Sequence, residues 1–321
     1  MQSIALNAAR HCNAKHCSKR RTTLQRKHCS KHCTTYATKS VALNKRSYVN
    51  LTLHLMNESE ARKLIVEVGR LMYERSYVVA FDGNLSILLD DGRVVATPTM
   101  TSKGRMTEDS LAITDLEGNN LTEKRPSSEL AMHLLIYRMR SDIQAVCHAH
   151  PPHGTAFSVA GLAIEQPILS EVVLTLGCVP LTGYGTPSTS ELTESMKPFV
   201  QHHNALLMAN HGAVAYGKDL WEAWDRMETL EHTAKIAILA RALGNVNDLP
   251  REAIGKLIEL REKAGYLDKD ARCQSCGYLH ETNITCELDA NSENEGNSNG
   301  TKISFTREEL IELLSQAAQI Q

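Results

Sequence analysis

Between residues 57 and 263 the apolar residues fall into two kinds of short run, and their alternation limits the fold more than any other feature. Leu64, Ile65, Val68, Leu71 and Met72 recur at helical spacing behind Asn57 and Glu60, a residue pair three apart that starts helices. Short strands are predicted at 84–89, 94–97 and 111–115, separated by Asp-Gly and Glu-Gly turns. The pattern continues with helices at 128–139, 152–160 and 190–201 and strands at 145–150, 178–182, 205–210 and 213–216. Helices near 219–243 and 251–263 close it. No regular crossover period and no Gly-rich dinucleotide loop accompany this alternation, so the expectation is a mixed α/β sandwich, not a doubly wound nucleotide fold.

The chain divides by composition into four parts: 1–55, 56–265, 266–300 and 301–321. Residues 1–57 carry 11 Lys and Arg and no acidic residue, whereas the remainder holds 24 basic and 37 acidic residues, net −13. The basic balance that marks nucleic-acid binding is therefore absent from the body. His-Cys pairs at 11–12, 16–17, 28–29 and 32–33 fit no familiar zinc spacing. The expectation for 1–55 is a disordered extension or upstream sequence before a start at Met56. No apolar run approaches the roughly 20 residues of a membrane span, and a cytoplasmic protein is expected. Residues 287–300 read as a polar linker. Cys273 and Cys276, with His280 and Cys286 nearby, are candidates for a second zinc or a disulfide, on a weak single pair.

His148 and His150 stand two apart at the end of an apolar strand, so the period of two points both imidazoles to one face. His211 ends a second apolar strand directly before Gly212, and Glu129 sits at a helix start. Three imidazoles and one carboxylate suit Zn²⁺ or another divalent transition metal. His133, four residues after Glu129 on one helical face, reads as a buried packing histidine, the lesser alternative being a place behind the metal ligands. His153, His202, His203 and His232 read as surface or packing residues.

Six segments in order, GNLS at 83–86, TPT at 97–99, PSSE at 126–129, HAH at 148–150, GYGTPSTSEL at 183–192 and NHG at 210–212, resemble the class II aldolase/adducin family over residues 57 to 265. The resemblance is strongest to its ketose 1-phosphate aldolases. It implies a central, largely antiparallel sheet flanked by helices, and a metal held by Glu129, His148, His150 and His211. It also implies cleavage of L-fuculose 1-phosphate or L-rhamnulose 1-phosphate to dihydroxyacetone phosphate and lactaldehyde. By the same resemblance Glu129 is the proton-transfer base, Tyr184 exchanges the proton at the aldehyde oxygen, and Asn84, Thr99, Ser127 and Ser128 bind the substrate phosphate. A homotetramer is implied as well. Met100 departs from the family pattern, which often has Gly after TPT; a positive φ there would strain the loop.

Other members of the fold are sugar-phosphate epimerases, in which the acidic metal position resembles Asp, and dehydratases. Adducin-like binding modules resemble it without the metal ligands, and retention of three His and Glu129 argues against them. At the C-terminus, Thr306 and Glu309 fit a capping box, and Phe305 can pack on Leu310. Leu310, Leu313, Leu314 and Ala317 form one apolar stripe. A polar linker followed by such a helix resembles the encapsulation peptides of bacterial microcompartments, so residues 301–321 are a candidate for binding a shell protein.

Overall fold

A computed structural model of the chain describes residues 56–264. The sequence expectations for the His-Cys pairs, for Cys273 and Cys276, and for the helix at 301–321 lie outside the described residues. The first helix, α1 (Glu58–Glu74), begins at a capping box in which the Asn57 side chain accepts from the Glu60 N–H and the Glu60 carboxylate accepts from the Asn57 N–H. Two orphan donors are thereby satisfied reciprocally. Ile65, Val68 and Met72 are buried along one stripe, with Leu64 and Leu71 packed beside them.

Seven strands follow: β1 (Asn84–Leu88), β2 (Val94–Ala96), β3 (Ala112–Thr114), β4 (Ala145–Ala149), β5 (Leu181–Thr182), β6 (Ala205–Met208) and β7 (Gly212–Gly217). They form one sheet in the order β3-β2-β1-β4-β7-β6-β5, antiparallel throughout except for the parallel β5–β6 pair. The helices are α2 (Leu130–Met139), α3 (Pro152–Val159), α4 (Ser170–Thr175), α5 (Ser190–Val200), α6 (Leu220–Leu243) and α7 (Arg251–Lys263). The sequence pattern does not show α4, which is shorter than two turns. The strand expected at 178–182 keeps only two residues in the sheet, while Val179 bridges to Ile164.

The period of two along each strand sorts the sheet into two cores. Ala145, Cys147 and Ala149 of β4, with Ala213 and Ala215 of β7, face the layer that contains α1 and α6. Val146, Val214 and Tyr216 face the opposite layer, which contains α2 and α5. Small side chains on the first face let the long helix α6 approach closely: Ala223, Trp224 and Met227 are buried against it. His148 stands on the α2 face two residues after Val146, which is what places it near Glu129 at the start of that helix.

The loop after β2 carries Met100 at φ +54°, with its side chain 70% exposed. The departure noted in the sequence thus falls on a left-handed residue, a conformation that costs an L-residue about 1–2 kcal/mol. Glycine gives back roughly 0.5–1 kcal/mol of that in chain entropy. Met100→Gly should therefore stabilise the protein by up to about 1 kcal/mol and raise the thermal midpoint by roughly 2–4 °C. A midpoint that falls by that amount would show that the Met100 side chain contributes more than its exposure indicates.

Candidate metal centre

His148 is fixed by strand register. β4 lies between β1 and β7, so His148 is flanked by Asn84 and Val214. Its Nδ1 lies 2.9 Å from the carbonyl oxygen of Ala213, which can only accept, so Nδ1 carries the proton and Nε2 keeps its lone pair. His150 extends beyond the strand end, and its Nδ1 faces Asp82 at 3.5 Å. His211 follows Asn210, which holds φ +55°, so the chain turns sharply before entering β7 at Gly212. A Cβ on Gly212 would come within 2.6 Å of both the Ala149 carbonyl oxygen and His150 Cδ2. The glycine is what lets the two histidine-bearing segments meet.

The three imidazoles bring one ligand nitrogen each to within 4.8 Å of one another. Each pair of rings stands edge to face, with centroids 4.9 to 5.1 Å apart. Glu129 is the N-cap residue of α2 but makes no capping hydrogen bond, which frees its carboxylate to turn inward. One oxygen lies 3.1 Å from His211 Nε2 and the other 3.3 Å from His148 Nε2. Burial raises the Glu129 carboxyl, but the neighbouring His148 and His211 outweigh that and hold it well below the usual carboxylate range. Burial, assisted by His148 and His211, pushes His150 down to about 3.

A divalent cation fits this donor set on its own evidence. His148 Nε2, His150 Nε2 and His211 Nδ1 are buried without a hydrogen-bond partner, a costly arrangement for polar atoms. The His148 lone pair also faces a carboxylate oxygen, and two acceptors at that distance repel unless a proton or cation lies between them. Neutral imidazole nitrogens and a carboxylate are the ligands that Zn²⁺ and its neighbours prefer.

The other residues named from the sequence fall in two groups. Thr99 and Ser127 come from loops tied side by side: Thr99 N–H donates to the Arg125 carbonyl and Ser127 N–H to the Thr97 carbonyl, and Ser127 Oγ accepts from the Glu129 N–H. Ser128 is exposed just before α2, where the helix N-terminus favours an anion. Asn84 is buried, with its side-chain amide engaged with Glu129 and His133. Tyr184 lies in the loop between β5 and α5 and is 63% exposed.

Sequence reasoning did not single out Asp82 or Lys103. Lys103 is 2% exposed, and its ammonium donates to the carbonyls of Phe81 and Thr101, tying the loop of Thr99 to the turn before β1. Burial pushes it down to about 8, against the pull of Asp82 and Glu129. A lone lysine in a polar loop carries no signal of burial. His203 is buried, and His153 pairs with the buried Glu231 at 2.7 Å, so both are packing residues as expected. Gly212→Ala should displace His150 and weaken metal binding about 10–100-fold, read by titrating the metal-free protein with Zn²⁺. Wild-type affinity in that variant would show that the close approach is dispensable.

Residues 63–238 match the family described as Class II Aldolase and Adducin N-terminal domain. The 3-oxo-tetronate 4-phosphate decarboxylase of Pectobacterium atrosepticum is 37% identical over 189 residues, which span 58% of this chain and 87% of that protein. The L-fuculose phosphate aldolase of Methanococcus maripaludis is 34% identical over 171 residues, 53% of this chain and 92% of that protein. Among solved structures, YgbL of Klebsiella pneumoniae, a candidate aldolase, epimerase or decarboxylase, superposes with a TM-score of 0.60 at 30% identity, over 63% of this chain and 99% of that one. With the match covering more than half of its length, the chain belongs to the class II aldolase and adducin family.

Proposed function

We propose that the protein is a metal-dependent carbon–carbon lyase acting on a small phosphorylated 3-oxo sugar acid, releasing carbon dioxide and a three-carbon ketose phosphate. The observation that carries the reaction class is the convergence of His148, His150 and His211 beside the uncapped carboxylate of Glu129. The substrate class rests on the 37% identity to the decarboxylase over 87% of its length. A divalent cation held by these residues would supply Lewis-acid withdrawal of electron density from the substrate's ketone.

The chemistry asks little else of the protein. In a 3-oxo acid, breaking the C1–C2 bond sends its electron pair to C2, where the adjacent ketone spreads it as an enediolate; carbon dioxide departs, and one proton must then reach C2. Glu129 is the group placed to deliver it. Paired with His148 and His211 it is ionised in the resting protein, so it takes up a proton only when substrate separates it from the imidazoles. Ser127 and Ser128, just before α2, and Thr99, in the loop tied beside them, supply hydroxyl donors for the phosphate, with the N-terminus of α2 favouring the anion.

A second reading, aldol cleavage of L-fuculose 1-phosphate or L-rhamnulose 1-phosphate, is favoured by the 34% identity to the fuculose phosphate aldolase. Breaking C3–C4 of such a ketose leaves the same three-carbon enediolate. It differs in needing a second group for the proton of the C4 hydroxyl, the role of Tyr184, whose exposed ring would serve a neighbouring subunit's site in a homotetramer.

Metal-loaded protein supplied with 3-oxo-tetronate 4-phosphate should release carbon dioxide and dihydroxyacetone phosphate in equal amounts, and chelation should abolish both until Zn²⁺ is returned. Glu129→Gln should keep the fold and lose about 10²-fold or more in turnover. Release of lactaldehyde from a ketose 1-phosphate, with no carbon dioxide from the oxo acid, would establish the aldolase reading. Full turnover in Glu129→Gln would refute the proton-transfer role.

A further inference from the structure

Behind Glu129 runs a line of buried polar side chains that neither the metal nor the substrate accounts for. Asn84 Nδ2 lies 2.8 Å from Glu129 Oε2, and Asn84 Oδ1 meets His133 Nε2. His133 Nδ1 lies 2.7 Å from Ser86 Oγ, which in turn lies 2.6 Å from the Tyr137 hydroxyl. Asn84, Ser86, His133 and Tyr137 are all buried.

Two periodicities build this line. Glu129, His133 and Tyr137 are spaced by four on α2, so they share one helical face and rise by about 6 Å per step. Asn84 and Ser86 are spaced by two on β1, so they share one sheet face and rise by about 6.6 Å. The near-equal steps let strand residues alternate with helix residues along one seam.

The direction of every hydrogen bond follows from its carboxylate end. An ionised carboxylate only accepts, so the Asn84 amide must present its NH₂ to Glu129 and its oxygen to His133. That oxygen accepts, so His133 Nε2 carries the proton and Nδ1 does not. Ser86 then donates to Nδ1, and Tyr137 donates to Ser86. Burial, with His148 adding to it, pushes His133 down to about 3 and so keeps it neutral. Burial pushes the Tyr137 phenol up, which keeps its donor proton in place.

We infer that His133, backed by Ser86 and Tyr137, is a positioning residue that locks the Asn84 amide and through it the orientation of the Glu129 carboxylate. The inference rests on Glu129 being the proton-transfer group. Without a donor at His133, the Asn84 amide can flip and present its oxygen to the carboxylate, which then turns away from its working angle.

The test uses the full-length, metal-loaded protein with ¹⁵N-labelled histidine, the His133 signals being assigned by their loss in His133→Gln. Nitrogen shifts should show His133 protonated at Nε2 and bare at Nδ1, without titrating between pH 5 and 9. A proton on Nδ1, or an imidazolium in that range, overturns the inference. His133→Phe should lower kcat about tenfold or more while KM and bound metal stay within twofold, and His133→Gln, which keeps an amide N–H donor, should recover most of the loss. Unchanged kcat in His133→Phe overturns the role, and so does loss of metal in step with activity, since that marks a purely structural residue. Should His133→Phe fail to fold, the tautomer measurement on the unaltered protein decides. Full turnover in Glu129→Gln would remove the base reading and with it the expected effect of His133 on kcat, whereas the tautomer, read independently, would still report the lock on the Asn84 amide. An inactive Glu129→Gln beside an active His133→Phe would remove the positioning role alone.

Discussion

The contact between His148 Nδ1 and the Ala213 carbonyl carries the rest of the site. It is a side-chain hydrogen bond made possible by a backbone register, with Ala149 paired to Ala213 and His148 to Val214 across β4 and β7. A slip of one residue would turn His148 to the opposite face of the sheet and bury it against α6. The same pairing sets Gly212 against His150, so one ladder orients the first imidazole and leaves room for the second. Because β4 lies inside the sheet with partners on both sides, the ligands rest on its least deformable part.

Charge balance explains why these groups tolerate burial together. Burial and the neighbouring His148 and His211 push the His150 imidazole down and so favour its neutral form. The Glu129 carboxyl beside them is held well below the usual carboxylate range by His148 and His211, although burial alone would raise it. The unsatisfied nitrogens are costly without a cation and favourable with one, which would couple metal binding to the stability of the central strands β4 and β7. Lys103 and Asp82 lie around this cluster with formal charges of their own, so the loop before β1 and the loop after β2 sit within its field.

The similarity to a decarboxylase and to an aldolase makes chemical sense for the single metal centre proposed above. Both names describe breaking a carbon–carbon bond in a phosphorylated sugar derivative. The electron pair left behind is the same in each case and needs the same stabilisation, whereas the departing fragments differ in whether a hydroxyl proton must be removed. On the proposed reading, discrimination between the two lies away from the histidines, in the groups that meet the departing fragment.

The local elements were legible in the sequence because each rests on short-range rules. The Asn57 capping box, the stripe of Ile65, Val68 and Met72, and the two-residue alternation of β4 and β7 appear where spacing places them. The family motifs likewise marked His148, His150, His211 and Glu129 for one site, and the chain folds so that they meet. What spacing could not decide was which polar groups face one another across elements. Spacing sets His133 on the Glu129 face of α2, but its meeting with Asn84 depends on the rise of α2 over four residues nearly equalling that of β1 over two. The burial of Lys103 and the left-handed turn at Met100 also depend on neighbours distant in sequence. Local periodicity is written in the order of residues, whereas the tautomer of a histidine, the flip of an amide and the burial of a lysine are set by whichever partner the tertiary fold brings within about 3 Å.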